Sequence, residues 1–148
     1  MAICPFARFD KIGNWAAGYY TGPETWKIIH HKTQGSSYPR STYLNTGGIP
    51  HFTVGRYDTW QHFDTDRASR ALVNEPGGVE TNNSWAIQIE CIGYSGIEDL
   101  VVAKNVAKLC RWIEETHGVK NVWPGGQPPC AHYDENGDPH SGGTAPCD

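Results

Sequence analysis

Seven histidines and five cysteines are spread unevenly along 148 residues, and they are the side chains best suited to chemistry. His30 and His31 are adjacent in the run KIIHHKTQGSS. His132 and His140 stand near the C-terminus, with Cys130, Cys147 and Asp148 around them. Neutral imidazole and thiolate are favoured ligands of zinc, which in catalytic sites takes three protein ligands and keeps one position open for water. One strand histidine and two tail residues would make such a set. Cys130, His132, His140 and Cys147 could instead close a four-ligand structural site, leaving His30 idle. A solvated pair at a strand end is the plain alternative for His30 and His31. Residue types alone do not choose among these.

The elements that must position these groups can be read from periodicity. Residues 26–31 read as a strand that begins as if buried, and 33–37 as the loop after it. Side chains alternate along a strand, so His30 and His31 point opposite ways and at most one can face a given site. Residues 41–45 read as a helical turn closed by Gly47 and Gly48. Residues 51–54 and 59–63 read as strands joined through Arg56, Tyr57 and Asp58, a hairpin. Residues 66–73 suggest a short helix capped by Asp66.

The best strand is WAIQIECI, residues 85–92, with Ile87, Ile89 and Cys91 on one face and Gln88 and Glu90 on the other. Residues 97–117 predict one long helix ended by Gly118. Ile97, Leu100, Val101, Val106, Ala107, Cys110 and Ile113 form the face expected to press on a sheet. Residues 1–24 read as irregular and aromatic. From Trp123 onward the chain is rich in Pro, Gly, Asp and His, with little to bury. A long tail of this kind needs something to fix it, and a metal ion would serve. The pattern predicts an α/β fold in one domain over residues 1–148: a central mixed sheet flanked by helices, with a metal-fixed C-terminal loop.

Composition narrows the function. The net charge is −4, and no cluster of Lys or Arg supplies the basic footprint that nucleic acid requires. No apolar stretch is long enough to span a membrane. Arg8 and Asp10 stand where a secretory signal would have its apolar region, so synthesis in the cytoplasm without a signal peptide is expected. Five cysteines with no CxxC pair do not make a disulfide framework, and Cys91 and Cys110 read as small core residues.

The order of several stretches then resembles a known family. IIHH at a strand end is followed by GIPHFTV, WQHFDTD, and AIQIE preceded by Asn83 and Ser84. One long helix, AHYDENGDPH and a terminal APCD complete the series. Together they resemble the type 2 N-acetylmuramoyl-L-alanine amidases, the zinc enzymes of phage endolysins and peptidoglycan recognition proteins, over roughly residues 24–148. The resemblance implies one Zn²⁺ per chain, held by His30, His132 and Cys147, with His31 lining the groove or capping the strand. It implies Glu90 as the acidic catalytic residue, and hydrolysis of the amide joining N-acetylmuramic acid to L-alanine in bacterial peptidoglycan. An endolysin of this kind would act as a monomer on the cell wall after release from the host cytoplasm, with no nucleic-acid partner and no membrane insertion. Tyr38, Trp60 and Asn83 are the candidate lining of a sugar-peptide groove. The same fold also serves as a peptidoglycan-binding module that does not cut.

The sequence departs from the family pattern at three places. Gln88 stands where the family often has Gly. His132 and Cys147 are 15 residues apart, a long spacing, whereas His140 follows His132 by 8. His132 is preferred as ligand because AHYD follows the helix, with 136–145 as an inserted loop. Ala145 replaces the lysine that many members place near the last ligand to stabilise the oxyanion, and His140 is the candidate for that catalytic role. The lack of a wall-binding repeat, with the end of the sequence beside an expected ligand, suggests a catalytic domain of a longer lysin.

Overall fold

The computed structural model describes residues 2–12, 18–71, 82–94 and 99–122. Five strands form one mixed sheet: β1 (Arg8–Phe9), β2 (Lys27–Lys32), β3 (Phe52–Val54), β4 (Thr59–Gln61) and β5 (Ala86–Cys91), in the order β1-β4-β3-β5-β2. β3 and β4 are the antiparallel hairpin read from the sequence, and its turn is closed by Gly55 N–H donating to Asp58 O at 2.8 Å. The remaining pairs, β1 with β4, β3 with β5 and β5 with β2, are parallel. Short helix α1 (Arg40–Thr46) ends at Gly47, whose φ of 70° is the left-handed conformation glycine adopts without cost. Long helix α2 (Leu100–His117) ends in the same way at Gly118.

Strand alternation assigns the two faces of the sheet. Phe52, Val54, Ile87, Ile89 and Cys91 share one face and pack with Val102, Leu109 and Ile113 of α2 to form the main core. Each such aliphatic side chain contributes about 1.5–3 kcal/mol by leaving water. On the other face Tyr43 of α1, Ile12 and Ile49 make a smaller cluster, with Tyr38 and Phe63 packed beside it. Helices therefore cover both faces, as expected for an α/β fold.

Four expectations need correction. The buried face of α2 is Val102, Val106, Leu109 and Ile113, whereas Leu100 is 74% exposed and Val101 and Ala107 also face solvent. The phase is set by Asp99, whose side chain caps the N–H groups of Val101 (2.9 Å) and Val102 (3.3 Å). Residues 66–71 form no helix. Tertiary bonds hold them instead, with Ala68 N–H donating to Gly18 O (2.9 Å) and Ser69 Oγ to Ile49 O (2.7 Å). Among the described residues β2 is a half-buried edge strand with β5 as its one sheet neighbour. Residues 1–24, read as irregular, contribute β1. Cys91 is buried and Cys110 packs against the core as expected, joined there by Cys4. Residues 72–81, Ile97 and the whole tail from residue 123 lie outside the described residues.

Candidate active site

The β2–β5 register decides which histidine belongs with Glu90. His31 pairs with Glu90 and His30 with Ile89, and on β3 Thr53 also pairs with Glu90. Residues in register on adjacent strands share a face. His31, Glu90 and Thr53 therefore stand in a row on the α1 side of the sheet. His30 stands on the α2 side, with its Nε2 3.8 Å from Cys110 Sγ. The structure does not bring His30 and Glu90 to one face, because the sheet stands between them. His31, taken from sequence as groove lining or a strand cap, is the histidine beside the carboxylate.

The electrostatics of the row suit proton transfer. Burial pushes the Glu90 carboxyl up to about 7 from its ordinary 4.5, since desolvation disfavours the charged form. Burial lowers the basicity of His31, offset in part by its hydrogen bond to Gln88. His31 is accordingly a neutral imidazole, the form that binds a metal.

Thr53 anchors this floor to the rest of the molecule. Its Oγ1 lies 2.9 Å from Tyr43 Oη and 2.9 Å from His62 Nε2. His62 Nδ1 donates to Asp10 O at 3.0 Å, so Nε2 accepts the Thr53 proton and Thr53 in turn accepts from Tyr43. Burial drives the His62 pKa down to about 4, which keeps the ring neutral in this chain of bonds. Asp10 extends the network by accepting from Tyr38 Oη (2.7 Å) and Arg40 Nε (3.0 Å).

A groove of about 470 Å³ opens over this face, a size suited to a small ligand. Glu90 forms part of its wall with Thr33, Tyr43, Thr46 and Arg70. The candidates drawn from sequence sit elsewhere. Tyr38 stacks on Trp60 at 4.3 Å between ring centroids, and neither lines this groove. Asn83 precedes β5, at the opposite end of the strand from Glu90, and its carbonyl accepts from Thr21 N–H at 2.9 Å. Tyr43 and Arg70 were not singled out from sequence. They come from separate elements, and only the fold brings them to Glu90.

The fold is shared with known structures. Compared by sequence, the chain matches no family model and no curated protein. Compared by structure, it superposes on the hydrolase AmiA of Staphylococcus aureus with a TM-score of 0.61 at 19% identity, covering 92% of this chain and 64% of that one. This is the type 2 amidase fold. A mutant endolysin from Bacillus subtilis matches with a TM-score of 0.54 at 20% identity over 76% of this chain and 77% of that one. The human peptidoglycan recognition protein PGRP-Iβ C, bound to a glycosamyl muramyl pentapeptide, matches with a TM-score of 0.55 at 16% identity, covering 81% of this chain and 82% of that one. The chain thus spans somewhat less than two thirds of AmiA and most of the other two. The mixed sheet with its two helices is the architecture they have in common.

The resemblance implies zinc, toward which the described residues of the Glu90 face offer one imidazole and one carboxyl. His31 is neutral, and its Nε2 is engaged at 3.2 Å by Gln88 Oε1, which leaves Nδ1 as the ring acceptor. Among the described residues no group of three or more His, Cys, Asp or Glu is assembled around one point. His132, His140 and Cys147, from which the other ligands are expected, lie outside the described residues.

Proposed function

We propose that this chain is a zinc-dependent N-acetylmuramoyl-L-alanine amidase of the endolysin type, built as one catalytic domain, with bacterial peptidoglycan as its substrate. The observation that carries the reading is the shared face of His31 and Glu90, a neutral imidazole beside a carboxyl whose pKa lies near 7. A general base is most effective when its pKa is close to the operating pH. A purely binding module gains nothing from such a carboxyl. The fold likeness to AmiA and the B. subtilis endolysin supports the same reading, and so does the muramyl peptide bound by the human recognition protein.

One imidazole of the pair, His30 as the resemblance implies or His31 on the Glu90 face, would hold the zinc together with His132 and Cys147 from the tail. When bound, zinc supplies Lewis acidity toward the scissile carbonyl and the attacking water. Glu90 takes the proton from that water at a carboxylate oxygen and returns it to the leaving amine of L-alanine. Thr53, fixed by Tyr43 and His62, keeps the strand beside Glu90 rigid. The groove walls, which include Thr33, Tyr43, Thr46 and Arg70, would receive the substrate. His140 is the proposed donor to the oxyanion in place of the lysine that Ala145 displaces.

Digestion of purified peptidoglycan tests the reading. New N-terminal alanine should appear without new reducing sugar ends. New reducing ends alone would make the enzyme a glycosidase, and binding without either product would make it a recognition module.

A further inference from the structure

A second pocket lies at the other end of the sheet from Glu90. Trp26 directly precedes β2 and Trp85 directly precedes β5, and the register sets Lys27 against Ala86. The two tryptophans therefore start neighbouring strands, roughly 15 Å along β5 from Glu90. With Tyr20 they form a corner. Trp26 stands at 75° to Tyr20 and 80° to Trp85, each 5.0 Å away between ring centroids. Tyr20 and Trp85 lie within 17° of parallel. These three rings, Tyr19 and Asp66 line a cavity of about 240 Å³. Pockets that enclose a drug-sized ligand run to roughly 300–1,000 Å³, so this one takes a headgroup.

The corner is held in place. Trp85 has a φ of 46°, the left-handed region that favours glycine, and its Nε1–H donates to Gly22 O at 3.1 Å. A bulky residue rarely adopts that angle, and such strained positions cluster at ligand sites. Trp26 Nε1–H donates to Glu24 Oε1 and Tyr20 Oη to Thr65 O, both at 3.0 Å. With these groups engaged, the wall offers aromatic surface and the exposed carboxylate of Asp66. Tyr19 already carries the Arg67 guanidinium 4.0 Å over its ring. The local field is negative. Burial raises the pKa of the Tyr20 hydroxyl, and the carboxylates of Asp66 and Asp64 raise it further. The same two carboxylates partly offset the lowering of the His117 pKa by burial, and that ring lies 4.3 Å from Trp26.

We propose that this pocket binds a methylated ammonium headgroup, its cation set against Tyr20, Trp26 and Trp85 and beside the Asp66 carboxylate. Aromatic rings attract cations, and quaternary ammonium ligands are recognised by cages of this kind. A primary ammonium brings three N–H donors, which need more acceptors than the one carboxylate found among the described lining residues. A methylated ammonium brings none. A sugar brings several hydroxyls that would lose their partners here, and rings set nearly at right angles give it no flat platform. None of these residues lines the Glu90 groove, so the site stands apart from the amidase reading.

NMR titration of the whole chain with choline tests the proposal, with ethanolamine and N-acetylglucosamine as comparison ligands. Choline should shift the indole N–H signals of Trp26 and Trp85 saturably, with a dissociation constant on the order of 1 mM for so small a ligand. Ethanolamine should bind at least about 10-fold more weakly, because its N–H groups lose water without gaining partners. Asp66→Asn keeps the aromatic wall and should weaken choline about 2- to 5-fold, the scale of an exposed charge pair. Trp85→Gly suits the backbone angle but removes a ring, and should weaken choline by about 10-fold or more with the circular dichroism of the wild type. Absence of a saturable choline shift in wild type would overturn the proposal, as would equal binding of ethanolamine. Choline affinity unchanged in both variants would also overturn it. Saturation by N-acetylglucosamine alone would make the pocket a saccharide site instead.

Discussion

His31 and Glu90 face each other across paired parallel strands, while His30 lies on the other side of the same sheet against Cys110. The spatial relation puts the two adjacent imidazoles on opposite faces of the sheet, and of the two only His31 shares the face of Glu90. It also sets the carboxyl proposed for proton transfer beside an imidazole.

Replacing Glu90 by Gln should lower kcat by about 10²- to 10⁴-fold, the usual worth of general acid–base catalysis. Zinc content should stay at one equivalent, because no ligand is removed. Steady-state kinetics paired with metal analysis checks this, and near wild-type turnover would place the base elsewhere.

The raised pKa of Glu90 gives a signature in the stability of the zinc-free protein. Folding holds this proton more tightly than the unfolded chain does, so the stabilising contribution is complete below the ordinary value of 4.5. It is lost as pH rises through about 7. Urea unfolding of wild type and Glu90→Gln at about pH 5 and about pH 8 should therefore show a loss in wild type that the variant lacks. Zinc should lower the Glu90 midpoint, since a cation on the same face favours the carboxylate.

The two tail histidines should behave differently. His132→Ala should weaken zinc binding by orders of magnitude. His140→Ala should keep the metal and lose turnover by about 10²- to 10³-fold, the scale seen when one oxyanion donor is removed. Metal loss with His140 alone would exchange their roles, and loss with both would favour a closed structural site.

Leu109 tests the packing that holds β5 in place. It is fully buried in the core between α2 and the sheet, and Leu109→Ala should cost about 2–5 kcal/mol in chemical denaturation.

Much of this architecture was legible because local chemistry and the final fold agree. Gly47 and Gly118 end helices where the sequence placed the stops, and Asp58 closes the hairpin that its neighbours suggested. Alternation alone puts Gln88 and Glu90 on one face of β5. It could not say which of His30 and His31 joins them. A period of two fixes opposition within a strand, whereas register between strands is set by tertiary packing. The buried face of α2 was missed for a similar reason. The cap at Asp99 sets the phase, and a reading started at Ile97 leaves out Val102 and Leu109. Tyr43 and Arg70 carried no signal, since a groove wall made from separate elements exists only after folding.

The most direct test removes each imidazole of the pair in turn and measures zinc stoichiometry together with release of N-terminal alanine from peptidoglycan. His31→Ala should lose both the metal and the activity, and His30→Ala should keep one zinc and most of the activity. Zinc retained without His31 and lost without His30 would contradict the placement of the site on the Glu90 face.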